Sequence, residues 1–200
     1  EPVKLTWTSD QNITFEKIIT LDENYLFSVD QRVINNSGLS FDLYPYGLSK
    51  RQGIPEMQNF FILHEGPLSI TDGVLEEYDY DDLKDDKKIK HSSVGGWIGM
   101  TDKYWQTAII PNQNEPVQQT YSYSFVDNID NFQTDIVGER IAVSNNASIS
   151  HNFKIFAGPK IVNIIDKYME EYGFDGFDRS VDFGWFYFLT KPIFNVLEFI

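Results

Sequence analysis

The chain has 200 residues, 16 Lys and Arg against 30 Asp and Glu, no cysteine and a formal charge of −14. That charge excludes a phosphate-tracking nucleic-acid surface, which needs clustered cations to release counterions, and it sets the body of the protein against anionic lipid headgroups. The missing cysteines exclude disulfides, thiolate metal sites and thiol nucleophiles, while 42% hydrophobic and 16% aromatic residues lie well above the regime in which chains stay disordered.

A compact chain of this length removes roughly 70% of its unfolded surface from water, enough for a core without staples. Glu1-Pro2-Val3 shows neither an initiator Met nor a charged-then-apolar leader, which reads as an excised or processed segment. The first 160 residues repeat one grammar, short alternating runs separated by turn residues, which predicts antiparallel β-structure. Val3, Leu5 and Trp7 alternate with polar neighbours. Tyr25, Phe27, Val29, Gln31 and Val33 then fall on one face of a run that closes at Asn35-Asn36-Ser37-Gly38, a turn cluster. Further strand candidates are 39–44, 60–64, 96–100, 104–110, 121–126 and 149–157. Eight or more such strands predict a two-sheet sandwich.

Residues 76–90 hold seven acids and four lysines among few apolar side chains. They read as a mobile, solvated loop. The alternative is a docking site or Ca²⁺ loop built on Asp79, Asp81, Asp82, Asp85 and Asp86, but the glycine and terminal glutamate of an EF-hand are missing and the lysines compete for the carboxylates. At Gly158-Pro159 the grammar changes. Ile161, Ile164, Ile165, Tyr168 and Tyr172 recur at helical spacing and Gly173 closes the pattern, which predicts an amphipathic helix with Pro159 in its first turn and its stripe packed on the sheet.

Of the twenty residues 181–200, thirteen are apolar and only Asp182, Lys191 and Glu198 are charged. Those charges and Pro192 break any single spanning helix. The stretch divides into an aromatic run, 183–189, and a second helix from Pro192. It could be an arm packed on the domain's own core, but apolar residues on nearly all sides favour an interfacial element leading toward a membrane span. Phe183, Trp185, Phe186, Phe188 and Phe194 are the expected membrane-interface residues.

His64, His91 and His151 are widely separated and lack a second ligand at helical or hairpin spacing, so no zinc site is expected. No phosphate-binding glycine loop or nucleophile motif occurs, and paired carboxylates discriminate nothing in so acidic a chain. No metal, cofactor or catalytic residue is therefore predicted. Asn12-Ile-Thr, Asn35-Asn-Ser and Asn146-Ala-Ser match the glycosylation pattern, which marks them as turn or surface positions.

Three stretches carry a resemblance. They are Gly95-Gly96-Trp97-Ile98-Gly99-Met100 with Tyr104-Trp105 and Ala108-Ile109-Ile110-Pro111; Phe156-Ala157-Gly158-Pro159-Lys160; and Val181-Asp182-Phe183-Gly184-Trp185-Phe186-Tyr187-Phe188-Leu189 running into Lys191-Pro192-Ile193-Phe194. Leu21-Asp22-Glu23-Asn24-Tyr25-Leu26-Phe27 adds to them. Together they resemble the periplasmic domain of the YidC-type membrane protein insertases. The resemblance implies a β-supersandwich of mutarotase-like shape with a C-terminal helical segment. It implies a bacterial inner-membrane parent that inserts and helps fold membrane proteins, alone or with the Sec translocon and its accessory subunits, without a cofactor or covalent step. Nascent membrane proteins and, through the C-terminal segment, the membrane surface are the implied partners; nucleic acid is not.

On this basis residues 1–157 form the sandwich body, 158–180 a packing helix and connection, and 181–200 the interfacial segment. The family's first membrane span and the earliest strands of its sandwich would precede Glu1, and its insertion groove would follow Ile200, so no groove residue is carried over. The competing class is a sugar-binding or aldose-epimerase-like sandwich, for which His64 and His151 with Glu56 or Glu139 could face each other across an aromatic cleft.

Overall fold

A computed structural model describes residues 1–55 and 64–181, together with Ile193. In chain order the strands are β1 (Val3–Thr8), β2 (Ile13–Leu21), β3 (Leu26–Asn35), β4 (Phe41–Leu43), β5 (Tyr46–Gln52), β6 (Gly66–Thr71), β7 (Val74–Glu77), β8 (Lys88–Val94), β9 (Trp97–Thr101), β10 (Trp105–Ile110), β11 (Pro116–Val126), β12 (Ile129–Gly138), β13 (Ile141–Val143) and β14 (Ala147–Pro159). Helix α1 (Tyr80–Asp86) precedes β8, and α2 (Val162–Tyr172) with a 3-10 turn (Phe177–Ser180) follows β14. Eight strands form one antiparallel sheet in the order β1-β2-β3-β14-β10-β9-β6-β7. Four form a second, β5-β12-β11-β8, and β4 pairs with β13.

Strand alternation gives the large sheet two apolar faces, and each has its own cover. The inner face presents Val29, Ile98, Met100, Ile109 and Phe153 to Tyr121, Phe132 and Ile136 of the small sheet, with Tyr80 and Leu83 of α1 closing the same core. The outer face presents Leu26, Leu68, Ile70, Trp97, Ala108, Ile110 and Phe156 to Ile165 and Tyr168 of α2 and to Phe174 and Phe177. Phe177 meets the rings of Trp97 at 5.6 Å, Phe156 at 5.5 Å and Phe174 at 5.7 Å, all edge-on, the arrangement aromatic quadrupoles favour. Helix, large sheet and small sheet thus make three layers around two cores.

The glycines around Trp97 serve this packing. A Cβ on Gly99 would meet the Thr107 carbonyl oxygen at 1.8 Å, and one on Gly96, whose φ is +69°, would meet the Ile70 carbonyl oxygen at 2.1 Å. Arg51 of β5 ties the layers by a bidentate pair with Asp102, beyond β9, and a 2.9 Å hydrogen bond to the Tyr80 hydroxyl.

The two-sheet expectation holds, and the strands expected at 39–44, 96–100, 104–110, 121–126 and 149–157 each correspond to β4, β9, β10, part of β11 and part of β14. Of the candidate at 60–64 only His64 is described, and it lies outside any strand. Tyr25 does not share the face of β3; it sits in the preceding turn with φ 73°. The acidic run is not a mobile loop: it holds the end of β7, α1 and the start of β8. Asp79 caps α1, its backbone N–H donating to Asp82 Oδ2 at 3.3 Å, and the helix buries Tyr80 and Leu83, one turn apart. Two anchors suffice because the other face stays in water.

Helix α2 packs on the sheet as expected and ends at Gly173 in the left-handed conformation (φ 67°). Its start differs: Gly158 and Pro159 still belong to β14, with Pro159 opposite Trp105, and the helix begins at Val162. Asn12 and Asn146 sit in turns with positive φ, but Asn35 is buried, its Nδ2 donating to the carbonyls of Leu39 and Val143 at 2.7 and 2.9 Å. An acceptor held that way is out of reach of a modifying enzyme.

Candidate functional site

The large sheet is wider than the small sheet that covers it, and its inner face continues past the cover onto β1, β2 and β3. There the registers align two rows of side chains across four strands. Trp7, Phe15, Val33 and Ile149 form an apolar row, with Trp7 stacked on Phe15 at 5.5 Å. Leu5, Lys17, Gln31 and His151 form the next. Leu43, Tyr44, Pro45, Tyr46 and Ile141, where β4 and β13 lead into and out of the small sheet, supply a wall. Floor and wall enclose a cleft of about 530 Å³, within the range of small-molecule sites.

Trp7 and Tyr44 are 63% and 56% exposed, so the mouth is aromatic and open. Tyr46 is held by Gln133, which donates to its hydroxyl at 3.2 Å; burial, with Asp135 nearby, raises its pKa against the effect of that hydrogen bond. Glu16 belongs to the opposite sheet face, where a hydrogen bond from Lys4 holds its carboxyl below the usual range.

His151 is the histidine the fold brings to the cleft. Its Nε2 lies 2.9 Å from Glu115 Oε2, and its Nδ1 is buried without a partner among the described residues. One ring nitrogen is occupied and the other is shielded from solvent, a poor arrangement for acid or base work on a ligand. The other expected partners do not meet it. His64 contacts the Pro67 carbonyl at 3.2 Å, Glu139 is exposed beyond β12, and Glu56 lies outside the described residues. His91 pairs with the Tyr78 hydroxyl at 2.8 Å. Glu115 carried no signal in the sequence, because it reaches His151 from a turn 36 residues away.

Among the described residues no group of three or more His, Asp or Glu could hold a metal ion, and no helix is long and apolar enough to cross a membrane. The expected interface residues Phe183, Trp185, Phe186, Phe188 and Phe194 lie outside the described residues.

The profile of the family described as YidC periplasmic domain matches residues 1–196. The chain belongs to this family. Along its whole length it is 40% identical to the protein named membrane protein insertase YidC from Rickettsia canadensis (strain McKiel), of which it covers 36%. It is 41% identical over 199 residues to the protein of the same name from Pelagibacter ubique (strain HTCC1062), covering 99% of this chain and 35% of that one. The chain therefore spans about a third of the length of the curated relatives it matches. Among solved structures, a galactose mutarotase related enzyme from Lactobacillus acidophilus superposes with a TM-score of 0.52 at 11% identity, over 77% of this chain and 66% of that one. At that identity the likeness shows the fold alone, a mutarotase-like sandwich, which is the shape the YidC resemblance implied.

Proposed function

We propose that this chain is the periplasmic domain of a bacterial inner-membrane insertase, which assists the insertion and folding of membrane proteins, alone or with the Sec translocon. The observation that supports this reading most is the family match along nearly the whole chain, with relatives of that name near 40% identity. The domain positions the insertase and engages translocon subunits or nascent membrane proteins; no covalent step is assigned to it. The engagement of His151 by Glu115 is consistent with a non-enzymatic role.

Positioning falls to residues 181–200. Aromatic side chains partition to the membrane–water interface, and each fully buried large apolar side chain contributes about 1.5–3 kcal/mol. Repulsion between the acidic body and anionic lipids is screened beyond about 8–10 Å at physiological salt. Burial therefore outweighs charge at this end of the chain. Flotation with liposomes tests it: the 200-residue chain should float and the chain ending at Val181 should stay in the dense fraction. Equal partitioning of the two would remove the interfacial role.

A carbohydrate site is the second reading, favoured by the aromatic mouth of the cleft and the presence of His151 on its floor. Titration with hexoses that gives no heat would set it aside.

A further inference from the structure

The cleft floor is amphipathic across the strands, not along them. Strands about 4.8 Å apart make the apolar row from Trp7 to Ile149 about 14 Å long, and the row containing Lys17 lies about 7 Å from it. Lys17 is exposed on this face and has no ion-pair partner among the described residues, whereas Lys4, on the other face, is paired with Glu16 at 2.6 Å. The other charged residues bordering the cleft, Glu16 and Arg32, alternate to that other face and approach each other at 3.9 Å. In a chain of net charge −14, this apolar trough is thus flanked by an unneutralised cation.

The chemistry of the floor separates three kinds of occupant. A peptide lying across it would meet side chains, not backbone groups, and its amides would go unpaired. A sugar ring would set hydroxyls against Val33, Leu43 and Ile149, which offer no hydrogen bonds. A hydrocarbon chain has no polar groups to satisfy except at its head. We propose that this cleft binds a single-chain anionic amphiphile, its tail along the Trp7–Ile149 row and its carboxylate or phosphate at Lys17, with the Gln31 amide beside it. The site stands independently of the insertase reading.

Calorimetric titration of the 200-residue chain, below the micellar concentration of each probe, tests this. Dodecanoate and lysophosphatidylglycerol supply the carboxylate and phosphate arms, and dodecyl maltoside the uncharged control. One equivalent of at least one anionic probe should bind, and which of them binds tells a free fatty acid from a phospholipid source. Lys17→Glu should weaken that binding about tenfold, through a lost attraction and a new repulsion, while Lys17→Arg retains it. Both variants sit at an exposed position, so an unchanged thermal midpoint separates lost binding from lost folding. Failure of both anionic probes to bind up to about 1 mM, binding indifferent to Lys17→Glu, or a hexose or apolar peptide that dodecanoate cannot displace would each overturn the proposal.

Discussion

Tyr168 shows how a single side chain couples the outer core to the solvent. The ring is buried under α2, and its hydroxyl donates to Asp22, in the turn between β2 and β3. Burial alone would raise the pKa of Asp22, but hydrogen bonds from Tyr168 and from the backbone N–H groups of Leu26 and Asn24, with Lys167 nearby, outweigh it and hold the carboxyl below its ordinary 3.8. A lowered folded-state pKa means stability that is present above the unfolded value and is lost as pH falls through the folded one. Tyr168→Phe should therefore cost about 1 kcal/mol at pH 7, and the deficit should shrink as pH drops below about 4. Urea unfolding of both proteins at pH 7 and pH 3 reads this directly; an equal deficit at both would assign the cost to packing. Local patterning marked Tyr168 as a core residue but said nothing of Asp22, 146 residues away. The His151–Glu115 pair was hidden for the same reason, whereas the isolation of Lys17 depends on which face of β2 it occupies and on the register of β2 with β1 and β3.

Elements were most legible where one period ran long enough to be counted. β3, β14 and α2 meet that condition, and Val29, Ile165 and Tyr168, on the faces read from the sequence, are buried. Helix α1 does not, because seven residues with two buried side chains hide inside a charge run. Its stability rests on those two contacts. Leu83→Ala should cost about 3 kcal/mol through the cavity it leaves, while Asp85→Asn, on the wet face of the same helix, should stay within about 0.5 kcal/mol. Thermal denaturation of the pair distinguishes an anchored helix from a solvated loop, for which both changes would be neutral. The start of α2 is not legible in the sequence for a different reason. Proline lacks an N–H, which suits a helix start, but it is equally at home at the end of a strand, and only the pairing of Pro159 with Trp105 decides between them.

At the scale of the molecule, the sandwich class followed from alternation and turn spacing, while the division of strands between sheets depended on pairings that no local pattern contains. Thirty acids against sixteen bases leave a body that repels itself. Added salt should screen that repulsion, and 0.5 M NaCl should raise the thermal midpoint by about 2–4 °C, the shift that about 1 kcal/mol produces in a chain of this size. Scanning calorimetry across a salt series checks this; a falling midpoint would mean that the ion pairs matter more than the net charge. The seating of α2 and the 3-10 turn has a mechanical consequence. They bear on β3, β14, β10, β9 and β6 in the interior of the eight-stranded sheet, and they also reach its margin, where Leu75 of β7 packs against the same core and Arg179 donates to the Gly73 carbonyl at 2.7 Å. A pull applied at Ser180 is thus shared among six neighbouring strands and does not fall on the margin strand alone. Helix α2 and the 3-10 turn form a broad mount, and a displacement of Ser180 should tilt the whole body before it bends any one strand.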